Sequence, residues 1–142
     1  MENLNSIIFY TIDKAIKSYR QFAQKQLKEA GFALTIDQWL VLKALEQDSK
    51  APQQQIAAAV FKDVASITRI IELLVQKGYL MREFHSGDRR RFKITLTDMG
   101  KEVLEKMQPH IIANRNRALH GITQDDIKML QGILSKITQN VT

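Results

Sequence analysis

No cysteine occurs anywhere in the 142 residues. Disulfides, thiolate metal sites, thiol nucleophiles and sensors that work through cysteine oxidation are therefore excluded. Proline is nearly as scarce, with Pro52 and Pro109 alone, and no linker, internal repeat or low-complexity segment interrupts the chain. No apolar run approaches a membrane span. Asp13 and Lys14 break the N-terminal apolar residues too early for a secretory signal, so a cytoplasmic protein away from membranes is expected. Catalytic sets are missing too: there is no Ser-His-Asp grouping, glycine-rich phosphate loop or His-Glu-x-x-His motif. His110 and His120 stand ten residues apart, about 15 Å along an unbroken helix, which is too far for one metal. No enzyme, metal or cofactor is expected.

What is present is a core and a basic patch. At 142 residues and 44% hydrophobic, the chain is sized for one domain with enough apolar side chains to fold. Its net charge of +6 is unevenly spread: between Lys62 and Lys93 eight basic residues face four acidic ones, which is two thirds of the whole excess. Such a patch points to a polyanionic partner.

The patch falls within Gln53–Gly100, where two short segments of helical spacing meet at Phe61-Lys62-Asp63. Tyr79–Phe84 and Phe92–Leu96 alternate apolar and polar residues as strands do, on either side of a loop, Ser86-Gly87-Asp88-Arg89-Arg90-Arg91. Helix, turn, helix and charged hairpin is the layout of a winged helix-turn-helix. The expected fold is mainly α with a small β-hairpin wing, a DNA-binding lobe at 35–100 and dimerisation helices at 1–31 and 101–142.

Around this lobe the periodicity predicts a long first helix from about Asn5 to Ala30, ended by Gly31. Leu4, Ile7, Ile8 and Phe9 cannot all face one neighbouring helix, so a second chain is expected to cover them. Thr35 and Gln38 have the spacing of a capping box, and Pro52 is expected to set the first turn of a short alanine-rich helix from Gln53 to about Val60. Asp63 can cap a fourth helix whose buried stripe is Ile67, Ile70, Ile71 and Leu74, closed by Gly78. Thr97 can cap a fifth helix reaching about Leu119, with a bend or break at Pro109. Thr123 opens a last helix, where Ile127, Leu130, Leu134, Ile137 and Val141 recur in heptad rhythm. Leu4, Ile8 and Ile12, with Ile127, Leu130, Leu134 and Ile137, are the candidate dimerisation residues.

Base edges are read by Arg and short side chains on the N-terminal turns of a helix in the major groove. Ala65, Ser66, Thr68 and Arg69 occupy those turns. Three successive arginines at a hairpin tip repel one another, and arginine suits the narrow minor groove and bidentate phosphate contacts. A carboxylate two residues before Arg90 can hold its guanidinium, which gives Asp88 an internal role beside Arg89, Arg90 and Arg91.

The chain resembles the MarR family of bacterial transcription regulators. The likeness rests on Asp63-x-x-Ser66-x-Thr68-Arg69 running on to Gly78-Tyr79-Leu80, on Asp88-Arg89-Arg90 as the family's Asp-x-Arg wing signature, and on Leu96-Thr97-x-x-Gly100. It implies a homodimer with intertwined terminal helices, two winged lobes on a pseudo-palindromic operator in double-stranded DNA, and Arg90 in the minor groove. It further implies an effector-responsive repressor whose cleft between dimerisation helices and lobe takes a small aromatic or other apolar effector. Tyr19, Phe22 and Trp39 are the candidate pocket residues, and core packing is their other reading. Two positions depart from the family pattern: Pro52 replaces a common threonine cap, and the turn at Phe61-Lys62 has no glycine. The rival readings are a small-molecule carrier and a protein-interaction module, either without specific DNA binding.

Overall fold

The computed structural model describes residues 1–85 and 88–142, with backbone alone for 84, 85 and 88–92. Six helices and a two-stranded hairpin follow in the order α1 (Ile8–Glu29), α2 (Ile36–Gln47), α3 (Gln53–Ala59), α4 (Val64–Gln76), β1 (Leu80–His85), β2 (Asp88–Leu96), α5 (Asp98–Ala118) and α6 (Gln124–Val141). Local chemistry sets most of the helix starts. The Thr35 hydroxyl accepts from the Gln38 N–H at 3.1 Å while Gln38 Oε1 accepts from the Thr35 N–H at 3.0 Å, a complete capping box. Thr123 and Asp126 repeat the arrangement at α6. Thr97 caps α5 by accepting from the Gly100 N–H, and its hydroxyl donates to the Gly78 carbonyl at 2.6 Å. One side chain thus fastens the end of α4 to the start of α5.

A single buried cluster joins these elements. Ile67, Ile71 and Leu74 of α4 are fully buried against Val41, Leu42 and Leu45 of α2 and Ile56 of α3. Leu80 and Ile94 bring in the hairpin, Leu27 brings in α1, and Leu104, Met107 and Ile111 bring in the first half of α5. The small Ala57 lets α3 sit close to α4. Ile70 is only half-buried.

Three expectations need correction. The first helix is not continuous from Asn5. A 3-10 turn at Leu4–Ser6 precedes it, and Ile7 is extended (φ −86, ψ 115). Asn3 accepts from the Asn5 N–H and the Ser6 hydroxyl donates to the Asn3 carbonyl, local bonds that compete with helix. α3 starts at Gln53 as expected, but Pro52 stands outside its first turn, as the N-cap. The second strand begins at Asp88, not Phe92: β1 and β2 are antiparallel from Leu80↔Leu96 to Phe84↔Phe92, and the register then shifts to His85↔Asp88. Charge hid these strand residues from an apolar-alternation reading, since backbone pairing does not depend on it. α5 runs through Pro109 without a break.

Candidate nucleic-acid interface

The first turns of α4 leave Val64, Ala65 and Arg69 exposed. Asp63 is the N-cap: its Oδ1 accepts from the Ser66 N–H at 2.7 Å and its Oδ2 from the Ser66 hydroxyl at 3.0 Å. These bonds, first the backbone one and then the hydroxyl one, with a further contribution from the charge of Arg69, hold the Asp63 carboxyl below its ordinary value. Ser66 is therefore committed as a donor to the cap and presents only its acceptor lone pairs outward. Thr68 Oγ1 donates to the Val64 carbonyl at 2.9 Å and lies 3.2 Å from Gln53 Oε1, tying α4 to the start of α3. Ala65 and Arg69 are exposed. Of the four recognition candidates, two face outward unencumbered and two also stiffen the helix start.

The turn before α4 is anchored from a second direction. Asp37, in the first turn of α2, receives the Arg20 guanidinium of α1 at 2.6 Å and the Lys62 ammonium at 3.4 Å. One carboxylate thus links α1, α2 and the α3–α4 turn. Gln24 of α1 accepts from the Ile36 N–H at 2.9 Å beside it, and Lys77 at the end of α4 donates to the Ala33 carbonyl at 3.1 Å. The Asp37 hub escaped the sequence reading, because pairs separated by 17 and 25 positions leave no periodic trace.

The wing stands beside α4. Arg82 of β1 lies 3.7 Å from Glu72 of α4, a solvated pair of small energetic weight. Asp88, Arg89, Arg90 and Arg91 all fall in β2, and in the register Arg89, Arg90 and Arg91 have no counterpart on β1. Their side chains, and residues Ser86 and Gly87 altogether, lie outside the described residues.

The remaining candidates are spread over the 3-10 turn at Leu4–Ser6, α1, α2 and α6. Leu4 and Ile8 are each 59% exposed, Leu130 is 53% exposed, and Ile12, Ile127, Leu134 and Ile137 are half-exposed. No residue of α6 is buried. Tyr19, Phe22 and Trp39 are half-buried. The Arg117 guanidinium sits 4.9 Å from the Phe22 ring centroid, and Phe32 meets His110 edge-on. Two clefts, of about 510 and 700 Å³, are lined by other residues: Arg20, Gln24 and Lys28 with the start of α2 in one, and Lys43, Glu46 and Pro109 in the other. Trp39 Nε1 and Asn114 Nδ2 are buried and lack a hydrogen-bond partner among the described residues. Asn114 was not singled out by sequence, since a polar residue on a long helix is normally a solvated one. Among the described residues no cluster of metal-ligating side chains and no helix long and apolar enough to cross a membrane occurs.

Comparison with known proteins agrees with this geometry. Residues 34–92 match the model of the MarR family. Among solved structures, BpsR of Bordetella bronchiseptica, whose DNA binding is regulated by 6-hydroxynicotinic acid, superposes with a TM-score of 0.85 at 21% identity over 97% of each chain. A MarR/EmrR family transcriptional regulator from Acinetobacter sp. ADP1 gives 0.86 at 22% identity, covering 99% of this chain and 98% of its own. A mutant MarR from E. coli complexed with operator DNA gives 0.83 at 20% identity, covering 96% and 99%. The match runs from just before α2 into β2, and the shared fold extends from the first helix to the last. Residues 34–92 are thus similar to the MarR family, and the chain as a whole has the winged helix-turn-helix fold of the regulators it superposes on.

Proposed function

We propose that this regulator is an effector-responsive repressor, binding as a homodimer to a pseudo-palindromic operator. The observation that carries the reading is the exposed start of α4. Ala65 and Arg69 face outward there on a turn held by the Asp63 cap, beside a hairpin whose second strand opens with Asp88, Arg89, Arg90 and Arg91. That helix end enters a major groove, the wing arginines reach the neighbouring backbone or minor groove, and Arg90 takes the minor-groove position. Phosphate contacts supply salt-dependent affinity while base edges and groove shape supply selectivity.

Dimerisation is supported by α6. An amphipathic helix with no buried residue, and with Met129, Leu130 and Ile133 more than half exposed, is a face that needs a partner. The apolar N-terminal residues Leu4, Ile8 and Phe9 are just as bare. A second copy supplies both surfaces at once and sets two lobes about 34–36 Å apart, one helical turn of DNA. Bound operator occludes the promoter.

Effector control is supported by two buried donors, Trp39 Nε1 of α2 and Asn114 Nδ2 of α5, which lack a partner among the described residues and suit a small ligand bearing acceptor oxygens. Regulation of BpsR by 6-hydroxynicotinic acid is a precedent of that chemistry. Such a ligand acts by favouring a lobe spacing that cannot span both half-sites. The test is selection from a random duplex library at near-physiological salt. An enriched inverted repeat, released by an aromatic acid, is expected. Binding without enrichment, lost at modest salt, would leave only a generic polyanion surface and overturn the reading.

A further inference from the structure

Three helices of this chain end in the same hydrogen-bonded cap. In each, the first residue past the helix cap is left-handed and the N–H of the next reaches back five residues. After α1 that residue is Gly31 (φ 90), with the Phe32 N–H donating to the Leu27 carbonyl at 3.0 Å. After α4 it is Gly78 (φ 85), with the Tyr79 N–H donating to Leu74 at 3.0 Å. After α3 it is Phe61 (φ 59): its N–H donates to Ala58 at 3.3 Å and the Lys62 N–H donates to Ala57 at 2.9 Å. A β-carbon crowds the backbone in this conformation, and a bulky aromatic there is a strained choice. The same chain places glycine at the two equivalent positions.

Packing does not compensate for the strain at Phe61. Its side chain is 93% exposed, the most exposed phenylalanine among the described residues. Its neighbour Lys62 turns back to Asp37 of α2 at 3.4 Å, while the aromatic stands in solvent. Val64 is 44% exposed and Ala65 is exposed beside it, so an apolar edge fronts the N-terminal end of α4, with Arg69 one turn further on. The span around this edge carries the chain's basic excess. An apolar edge on a cationic surface fits the major groove, whose one apolar group is the thymine 5-methyl.

We propose that Phe61 is a specificity-determining residue, packing against thymine methyl groups at the edge of the major groove with Val64 beside it. Backbone strain is then kept for recognition, since a glycine would relax the turn and lose the contact. The inference rests on the DNA-binding reading above and adds to it the base chemistry the operator must offer: thymine steps flanking the bases met by Ala65 and Arg69.

The experiment compares the full-length parent and Phe61→Gly on the operator selected by the parent, with its thymines intact or replaced by deoxyuridine, which removes only the methyl groups. The parent is expected to lose roughly fourfold in affinity per contacted methyl on the uracil duplex, the worth of burying one methyl group. Phe61→Gly is expected to lose a similar factor on the thymine duplex and nothing further on the uracil one. Its Tm should equal or exceed the parent's, because glycine accepts the left-handed conformation. Three results overturn the proposal: parental affinity in Phe61→Gly, a loss equally large on both duplexes, or a lowered Tm that marks the ring as structural. A parent that selects no sequence overturns the regulator reading together with this one, whereas a selective parent with an indifferent Phe61 overturns this one alone.

Discussion

A β-carbon at position 100 would run into the Tyr79 carbonyl oxygen and lie 2.8 Å from Leu96 Cδ1. Backbone oxygen cannot yield as a flexible side chain can, so the glycine is required by the close approach of α5 to the β1 start. Gly100→Ala should cost about 1–3 kcal/mol through overpacking, read as a lower denaturation midpoint with the fold retained. At this scale the sequence motif Leu96-Thr97-x-x-Gly100 was visible, whereas its cause was not, because a glycine's neighbours are set by tertiary approach. Arg90 belongs here as well. If it occupies the minor groove, Arg90→Ala should weaken operator binding by about 1–3 kcal/mol and leave the melting curve unchanged. Anisotropy titrations beside thermal melts check both halves, and unchanged affinity in a folded variant would exclude that role. Phe61 marks where sequence reading stopped: the missing glycine was plain, but not that phenylalanine adopts the left-handed turn and stands in solvent.

Helix starts were the most legible elements, since a cap needs only residues three positions apart. Thr35, Asp63, Thr97 and Thr123 all cap as their spacing indicates. Where a residue competes for its own backbone the reading fails, as Asn3 and Ser6 do before α1. The start of β2 was hidden differently, by charged residues that pair through backbone alone. Asp63 gives the element-scale prediction. Its folded pKa lies below the ordinary 3.8, so its cap contribution is fully present above that value and is lost as pH falls through the lower folded one. Asparagine caps a helix about as well but does not titrate. Thermal melts across the acid range should therefore fall more steeply for the parent than for Asp63→Asn. Parallel curves would mean that the Ser66 bonds do not couple Asp63 ionisation to folding.

At the scale of the whole molecule, the buried cluster unites α1, the winged lobe and the first half of α5, and leaves α6 outside. This division was partly legible. The apolar excess at Leu4, Ile8 and Phe9 and the heptad rhythm from Ile127 to Val141 mark surfaces that stay exposed among the described residues. The cross-links through Asp37, and the burial of Asn114, were beyond reach because they depend on which helices meet. If α6 is the seam of a homodimer, Leu130→Asp should place an unpaired carboxylate in it. Light scattering should then report a monomer, with operator affinity falling toward the nonspecific level; a dimeric, fully binding Leu130→Asp protein would remove α6 from the interface. Two lobes fixed one helical turn apart must also meet DNA on one face. The most direct test measures affinity for the selected inverted repeat against the same half-sites moved apart by about five base pairs, half a turn. Loss of most of the specific affinity, to the level of a single half-site, is the predicted result. Equal binding to both spacings would contradict a dimer that grips two half-sites at once.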